Sequence, residues 1–431
     1  MTAITPGTPP TTVAALTADS APALLRERSF RRYWSAQTIS FVGDQVSFLA
    51  MPLLAVLVLH ASPAQMGYLT AAGLAPNLLF SLYAGVWVDR RRQRRHVMIA
   101  ADVGRAALVA SIPVAYGLGV LTLGQLYVVA FLAGTLSTLF EVANSSLFVS
   151  LVPRDRLVQA NSLVSGSRAM SFVAGPSLGG LLVQALTAPV ALVVDAVSYL
   201  ASAVQLGRVA PAEAAPQSRR PGDFTAGLRF LAASRLMWTN LVAAATVNFF
   251  NFMFWALVIL YITVDLGISA GLLGVVIGAG AVGALIGSVV TGRLTRAIGL
   301  GPSYVVGLLA FPAPLLLVPL AGGPRPAVLA LLFLAEFFSG LGVMVLDISA
   351  GTIQAGLIPH QLRARVSGAS RTLNYGVRPL GALAGGALGS LIGVRQTLWV
   401  ATAGALLGVA WLVGSPILKL RTLPAPSDEA T

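Results

Sequence analysis

The sequence predicts an all-α integral membrane protein in which twelve transmembrane helices form two parallel six-helix pseudo-repeats. Composition supports the membrane class, because 56% of the residues are hydrophobic and only 10% are charged, whereas a soluble domain carries about 25% charged residues. Apolar segments long enough to cross about 30 Å of hydrocarbon as helices recur along the chain. An internal repeat relates the first six of these segments to the last six.

The apolar segments define the predicted spans in order. They cover residues 36–59, 67–88, 97–117, 123–149, 163–185, 188–207, 236–262, 270–292, 302–320, 327–349, 367–391 and 396–417. Residues 1–22 are rich in Pro, Thr and Ala and lack the basic start and apolar core of a signal peptide. We therefore expect a disordered cytoplasmic tail at 1–29, a six-helix bundle at 30–207, a cytoplasmic linker at 208–235, a second bundle at 236–418 and a cytoplasmic tail at 419–431.

Arginines are distributed unevenly between the two sets of loops that join the spans. One set, with both termini and the linker, holds almost all of them, whereas the opposite set holds only Arg325 and Arg395. The positive-inside rule therefore places both termini and the linker in the cytoplasm. The net charge of +13 is explained by membrane topology, so we expect a multi-pass protein of the plasma or inner membrane, surrounded by lipid, with no nucleic acid partner.

The internal repeat is visible in three pairs of segments. "FEVANSSLFVSLVPRDRL" aligns with "LDISAGTIQAGLIPHQLR" and pairs Glu141 with Asp347, whereas "SRAMSFVAGP" aligns with "SRTLNYGVRP" and pairs their final prolines. Spans 1 and 7 align through their tryptophans, which sets Asp44 opposite Asn248. Because six spans separate the repeats, both halves share one orientation, as in parallel-repeat secondary transporters.

Several kinds of chemistry are excluded by residues that the sequence lacks. It has no G-x-x-x-x-G-K-[ST] loop, and Lys419 is its only lysine, which excludes nucleotide binding of that type. Cysteine is absent, and the three histidines lie far apart, so we expect no metal centre. We accordingly expect no enzyme activity and no cofactor, and transport would have to be driven by a gradient.

Two motifs resemble those of the major facilitator superfamily, and the likeness extends over about residues 30–420. The loop between spans 2 and 3 is similar to G-x-x-x-D-R-x-G-R-R at Gly85, Asp89, Arg90 and Arg94, although Arg92 stands where that pattern has glycine. "AGPSLGG" in span 5 resembles the family's antiporter motif through Gly175, Pro176, Gly179 and Gly180. The pattern most resembles the drug and siderophore export group, which includes macrolide efflux pumps and enterobactin exporters.

The resemblance implies the major facilitator fold and a cytoplasmic gate. In that family the loop aspartate faces the start of span 11, and its arginine pairs with an acid at the end of span 4, which implies these roles for Asp89, Arg90 and Glu141. The full set of expected gate residues is Gly85, Asp89, Arg90, Arg94, Glu141, Arg168, Asp347 and Arg371. Simple anchoring of a basic loop is the alternative, and it suffices for Arg91, Arg92 and Arg95.

Ionisable residues inside the spans are candidates for proton coupling, because they are costly to insert in a bilayer. Spans 3 and 6 are peripheral in the resembled family, so we expect Asp102, Arg105 and Asp195 to be structural, with the first two neutralising each other three residues apart. This leaves Asp44 and Glu336 as proton-coupling groups. For Asp44, a structural hydrogen bond to Gln45 or Arg168 is the alternative.

A substrate cavity is predicted from polar and aromatic residues of the inner spans. Glu336 lies among Phe337 and Phe338, and span 7 contains "NFFNFMFW", which indicates an apolar cavity with one negative point, suited to amphiphilic and often cationic compounds. The alternative is that these rings face lipid. The expected cavity residues are Phe41, Gln45, Asn144, Asn248, Asn251, Phe252, Trp255, Phe337 and Asn374.

The sequence thus predicts a monomeric secondary active transporter that exports a small amphiphilic molecule, such as a drug, natural product or siderophore, by proton antiport with alternating access. Its partners would be that small molecule, protons and the lipid bilayer. An uncoupled facilitator or an importer of the same fold is one alternative, and a non-transporting membrane sensor or enzyme is the other.

Overall fold

The computed structural model describes residues 21–89, 93–210, 224–358 and 362–421, and within these ranges all regular structure is helical. Twelve helices follow the predicted spans in order. They are α1 (Arg28–Leu57), α2 (Pro63–Asp89), α3 (Arg94–Gly117), α4 (Leu123–Leu151), α5 (Leu157–Leu186), α6 (Ala188–Gly207), α7 (Arg235–Leu260), α8 (Ala270–Ile298), α9 (Leu300–Ala310), α10 (Arg325–Leu357), α11 (Arg363–Ile392) and α12 (Val394–Leu406).

Shorter helical pieces continue or precede some of these helices. Their bounds are Ala21–Arg26, Arg154–Arg156, Phe224–Ala233, Tyr261–Asp265, Ala313–Leu316, Leu317–Leu320, Leu407–Leu412 and Pro416–Lys419. The piece after α7 is a π-helix. Prolines at 312 and 314 prevent α9 from continuing as a regular α-helix, because proline has no backbone N–H to donate. Phe224–Ala233 lies in the predicted linker, where Leu231 packs against Met237 and Val366.

Nine helical segments of the described chain, α1 and α3 to α10 with their continuations, are long and apolar enough to cross a membrane. The other three helices, α2, α11 and α12, occupy the remaining predicted spans, so the structure is consistent with twelve. Several helices exceed their predicted spans, as α1 does by starting at Arg28 rather than at residue 36. The reason is that apolar composition marks only the hydrocarbon layer, whereas the hydrogen-bonded helix continues into polar sequence.

Both halves place the starts of odd-numbered helices and the ends of even-numbered helices at one end of the bundle, which we call the basic end. There the Arg32 side chain donates to the Arg208 carbonyl at 2.6 Å, which joins the start of α1 to the end of α6. In the second half, the Gly301 amide donates to the Leu420 carbonyl at 2.7 Å. We call the other end of the bundle the opposite end.

The two halves are packed together at the opposite end and separate at the basic end. One cluster of buried apolar residues near the opposite end includes members of both halves, such as Leu53, Leu126, Phe254 and Leu332. Near the basic end, each apolar cluster belongs to a single half, as the cluster around Met98 does. The space between the halves is therefore closed at the opposite end and opens towards the basic end.

Glycine allows the closest contacts between the halves, α5 with α8 and α2 with α11. A Cβ on Gly180 of α5 would meet the Ala270 carbonyl and lie 3.0 Å from Cα of Gly274 in α8. A Cβ on Gly67 of α2 would lie 2.8 Å from Cα of Gly386 in α11. Close approach of backbones through small residues is a main source of helix association in membranes.

We expect Gly180→Val to disfavour the closed opposite end, because overpacking costs about 1–3 kcal/mol. The readout is the labelling rate of Ala382→Cys in the α2–α11 contact with a water-soluble maleimide, since Ala382 is fully buried and the chain has no natural cysteine. Labelling should accelerate by about 5- to 150-fold, which is the increase in the open population that this free-energy cost would produce.

The matched control is Gly166→Val on the same helix, because a Cβ there would meet nothing within 4 Å. This variant should label at the parent rate. Equal rates for Gly180→Val and Gly166→Val would show that the α5–α8 contact does not hold the opposite end closed.

Candidate functional site

Two adjoining cavities lie between the helices on the side of the basic end. The interface cavity has a volume of about 580 Å³ and is lined from α2, α4, α5 and α11 by residues that include Asn144 and Arg168. The C-terminal cavity, of about 460 Å³, lies among α7, α9, α10 and α11. Arg371 and Tyr375 line both cavities, so the two adjoin at these side chains, and their combined lining comes from both halves. We call them together the connected cavities.

An ion pair crosses this space between the halves. Arg371 of α11 lies 3.7 Å from Glu141 of α4, and both side chains are 59% exposed. Arg168 of α5 stacks over the Phe41 ring with 4.7 Å between the guanidinium carbon and the ring centroid. Asp347 lines the C-terminal cavity next to them. The structure thus brings four expected gate residues to the connected cavities.

The other expected gate residues belong to the loop between α2 and α3. Arg90 lies outside the described residues. Gly85 and Asp89 are described only through their backbones, which belong to the last turns of α2. Arg94 is the first residue of α3 at the basic end.

The glycine and proline residues of the predicted antiporter motif lie buried in the middle of α5. A Cβ on Gly175 would meet the Gln45 side chain of α1, and a Cβ on Gly179 would lie 3.2 Å from Cα of Val46. Gly180 faces α8, and the Pro176 carbonyl lies against Gly274. Gly175, Pro176, Gly179 and Gly180 therefore pack α5 tightly between α1 of its own half and α8 of the other.

A buried polar network occupies the N-terminal half between α1, α3, α4 and α6. The Tyr199 hydroxyl of α6 donates to Asp44 Oδ1 of α1 at 2.6 Å. Arg105 of α3 forms an ion pair with Asp102 and stacks on the Tyr199 ring at 4.3 Å and the Phe140 ring at 4.6 Å. Arg105 and Asp102 are almost fully buried, so this network is a single desolvated unit.

A third carboxyl, Asp195 of α6, completes the network. It is fully buried and accepts hydrogen bonds from Ser47 and, at 3.2 Å, from Ser198. A Cβ on Gly43 would meet this carboxyl, so the Asp195 carboxyl lies against the α1 backbone at the residue before Asp44. Three carboxyls therefore surround Arg105, and Arg168 is the further arginine within electrostatic range of Asp44. Carboxyls outnumber arginines here, so the network can accept a proton without leaving an arginine unpaired.

The structure differs from the sequence expectation for Asp44 in one respect. Its hydrogen-bond donor is Tyr199, rather than Gln45 or Arg168. Sequence reasoning missed Tyr199. The available signal was the polar stripe of Asp195, Ser198, Tyr199 and Ser202, whose spacing puts these residues on one face of an otherwise apolar span.

Glu336 lies away from both cavities. It is buried in α10 against α8, where a Cβ on Gly280 would lie 3.2 Å from Glu336 Oε2. The adjacent Phe337 and Phe338 rings contact each other edge to face, and Phe338 is 46% exposed on the outside of the bundle. The aromatic cluster around Glu336 therefore lines neither described cavity. The sequence expectation was wrong here because hydropathy indicates the depth of a residue in the membrane but not the side of the helix it occupies.

The remaining expected cavity residues fall into two groups. Asn248, Asn251, Phe252 and Asn374 line the C-terminal cavity, and Asn144 lines the interface cavity, where it accepts from the Tyr33 hydroxyl at 2.6 Å. Phe41 lies beneath Arg168. Gln45 is buried against Gly175, Trp255 stacks with Phe48 at 5.8 Å, and neither of them lines the two cavities.

Arg378 of α11 is a cavity residue that sequence reasoning missed. Its Nε donates to Asn248 Oδ1 at 2.9 Å, and its guanidinium carbon lies 4.0 Å from the Tyr375 ring and 5.0 Å from the Phe252 ring. The signal was in the repeat: "VRP" of span 11 aligns with "AGP" of span 5, so an arginine stands where the first half has Gly175. Within the described ranges, no group of three or more His, Asp or Glu residues is placed to hold a metal.

Comparison with known proteins identifies relatives over nearly the whole chain. A major facilitator superfamily (MFS) model described as transmembrane secretion effector matches residues 19–428. The chain is 30% identical over 417 residues to the uncharacterized MFS-type transporter YfiS of Bacillus subtilis, which covers 93% of this chain and 96% of YfiS. It is 26% identical over 386 residues to the multidrug efflux pump Tap of Mycolicibacterium fortuitum, covering 82% and 88%.

Solved structures share the fold at low sequence identity. The nucleoside transporter NupG superposes with a TM-score of 0.71 at 12% identity, over 89% of this chain and 98% of NupG. A bacterial homologue of the iron transporter ferroportin, in its inward-facing state, gives a TM-score of 0.72 at 18% identity, over 90% and 98%.

We expect two arginines of the site to differ widely in their contribution to stability. Arg105→Gln should lower the free energy of unfolding by about 3–5 kcal/mol, because it leaves buried carboxyls without their cation. Arg371→Gln should lower it by less than about 1 kcal/mol, because the pair with Glu141 is exposed. Denaturation of the purified protein in mixed micelles measures both, and a larger loss for Arg371→Gln would contradict the assignment of Arg105 to a buried network.

Proposed function

Because this chain belongs to the major facilitator superfamily of membrane transporters, we propose that it is a secondary active exporter that exchanges a small amphiphilic molecule for protons. The observation that carries the proposal is the connected cavity, which opens at the basic end and adjoins a buried network with more carboxyls than arginines. The first feature provides a place for a substrate, and the second provides a place for a proton.

The direction of transport follows from the orientation that we propose. The positive-inside rule assigns the arginine-rich basic end, both termini and the linker to the cytoplasmic side of the plasma or inner membrane. The cavity then opens to the cytoplasm, where an exporter collects its substrate. The packed opposite end would have to separate to release it, and the glycine contacts of Gly180 and Gly67 are where that separation would occur.

The relatives favour export of small molecules without defining one. Tap is named a multidrug efflux pump, whereas NupG is named a nucleoside transporter. Because proteins of this fold transport such different substrates, the fold indicates the transport mechanism better than it indicates the substrate. Because one chain supplies both halves and both cavities, we propose that the monomer is the transporting unit.

Asp44 is the carboxyl that we assign to proton transfer. Asp102 and Asp195 are fully buried, whereas Asp44 is partly exposed, so it is the member of the network that can exchange a proton with water. Its carboxyl accepts a hydrogen bond from Tyr199 and lies within electrostatic range of Arg105 and Arg168. Glu336, buried against α8, is the second carboxyl that we assign to proton binding.

Arg168 provides a physical link between the proton and the substrate. Its side chain lines the interface cavity, and its charge is within electrostatic range of Asp44. A substrate that contacts Arg168 would therefore change the field at Asp44, and a coupling free energy of about 1–3 kcal/mol is typical for linked sites.

The Glu141–Arg371 pair is the cytoplasmic gate contact that we propose. It joins α4 to α11 across the halves, and an exposed pair of this kind contributes about 0–1 kcal/mol. The pair is already formed in this structure, across the space that opens at the basic end. A contact this weak can break and form again in every transport cycle. Asp89, Arg90, Arg94 and Asp347 are proposed to support the same gate.

Efflux from energised cells that lack their own multidrug pumps tests proton coupling. Cells are loaded with ethidium or with dansyl-ε-aminocaproate, and efflux is followed with and without a protonophore. We expect the protonophore and Asp44→Asn each to abolish concentrative efflux, because each removes the proton that drives it. Glu336→Gln in the same assay shows whether the second carboxyl is also required.

The matched control is Asp155→Asn, which removes a carboxylate that is 77% exposed between α4 and α5. Its efflux should equal that of the parent at equal expression. Efflux that survives both the protonophore and Asp44→Asn would show an uncoupled facilitator instead of an antiporter.

A further inference from the structure

The C-terminal cavity contains buried polar atoms that have no partner in the protein. Oδ1 of Asn240, Oδ1 of Asn251, Oδ1 of Asn374 and Oη of Tyr304 are all inaccessible to solvent and lack a hydrogen bond, and all four residues line this cavity. Buried polar atoms are almost always paired in folded proteins. Four residues with such atoms line one space, which marks the C-terminal cavity as a polar site inside the second half.

Arg378 is the cation of this cavity, and its surroundings leave it partly unsatisfied. The two aromatic rings of Tyr375 and Phe252 hold its plane, and Nε is bound to Asn248. The ion pairs within 4 Å in the described chain involve Arg105, Arg156 and Arg371, and none involves Arg378. The planar guanidinium is therefore fixed in direction, and Asp347, whose charge acts on it from the same cavity, forms no ion pair with it within 4 Å. This geometry can bind an oxyanion through two parallel hydrogen bonds.

The charges around the connected cavities favour a negative group. Arg168, Arg371 and Arg378 line the space, and Glu141 and Asp347 are the carboxylates among its lining residues. Since Arg371 is paired with Glu141, Arg168 and Arg378 remain against the single charge of Asp347. A cationic ligand would add to an existing positive excess, whereas an anion would offset it.

The internal repeat shows that this charge is specific to the second half. Asp44 aligns with Asn248, and Gly175 aligns with Arg378. The first half thus has an acid and no arginine at these two positions, whereas the second half has an arginine bound to a neutral amide. The amide orients Arg378 without neutralising it, so its charge stays available to a ligand.

We propose that the C-terminal cavity binds an amphiphilic acid, a molecule with a carboxylate or similar oxyanion on an apolar body, and that Arg378 is the residue that selects it. The oxyanion accepts from the terminal nitrogens of Arg378, within the polar lining of this cavity. The apolar body lies against Phe252, Leu308, Phe311 and Val343. This inference names the substrate class of the proposed exporter. It rests on the proposed function only in treating the bound acid as the transported substrate.

Direct binding tests the proposal without any transport step, so its failure is distinguishable from a failure of proton-coupled export. The full-length protein in lipid nanodiscs is titrated with dansyl-ε-aminocaproate, with the alcohol of the same chain length and with the corresponding amine. Energy transfer from the protein's tryptophans to the dansyl group reports binding, and empty nanodiscs give the background. We expect the acid to bind at least about tenfold more tightly than the alcohol, from a charge-assisted hydrogen bond.

Arg378→Gln should weaken binding of the acid by about 10- to 100-fold and leave binding of the alcohol unchanged, which also shows that the variant is folded. Arg378→Lys keeps the charge but not the planar fork, so we expect an intermediate affinity for the acid. The control is Arg325→Gln, an exposed arginine at the opposite end, which should bind all three probes like the parent. Equal affinities for the three probes, tighter binding of the amine, or no saturable binding of the acid would overturn the proposal.

Discussion

The contact between the two halves at the opposite end is the constraint on which the rest of the structure depends. Backbone groups in the bilayer must be satisfied within helices, so the halves can join only through side chains and close backbone approach. Glycine at 67, 180, 274 and 386 lets α2 meet α11 and α5 meet α8 at distances that any side chain would prevent. Once these contacts close one end, the helices diverge towards the other, and the diverging walls form the connected cavities.

The same constraint determines where charge can be placed. Charges that face lipid are costly, so the buried ionisable groups of this chain lie inside a half or on the cavity wall. Arg105 is held inside the first half by its ion pair with Asp102 and by two aromatic rings. Arg378 is held on the cavity wall of the second half by two rings and an amide. Aromatic faces support both arginines, but only the first is neutralised by the protein itself.

Much of the fold could be predicted from sequence, because the length and order of apolar segments directly reflect the thickness of the bilayer. The family resemblance and the all-helical membrane fold are confirmed. Helix ends were less accurate, as at Arg28, because polar residues continue a helix beyond the membrane. The pairing of Asp102 with Arg105 followed from their spacing of three, and the structure contains it. The Tyr199–Asp44 bond joins residues 155 positions apart, which no local pattern specifies.

The sites that sequence reasoning placed least well are those where the two repeats have diverged. Repeat symmetry predicts similar residues at equivalent positions. Asp44 of the first half instead aligns with the neutral Asn248, and Arg378 of the second half aligns with Gly175. Divergence at these two positions leaves the first half with an acid in a buried network and the second half with an arginine on the cavity wall. The exchange that we propose would require the contacts at Gly180 and Gly67 to separate, because they hold the opposite end closed between the halves.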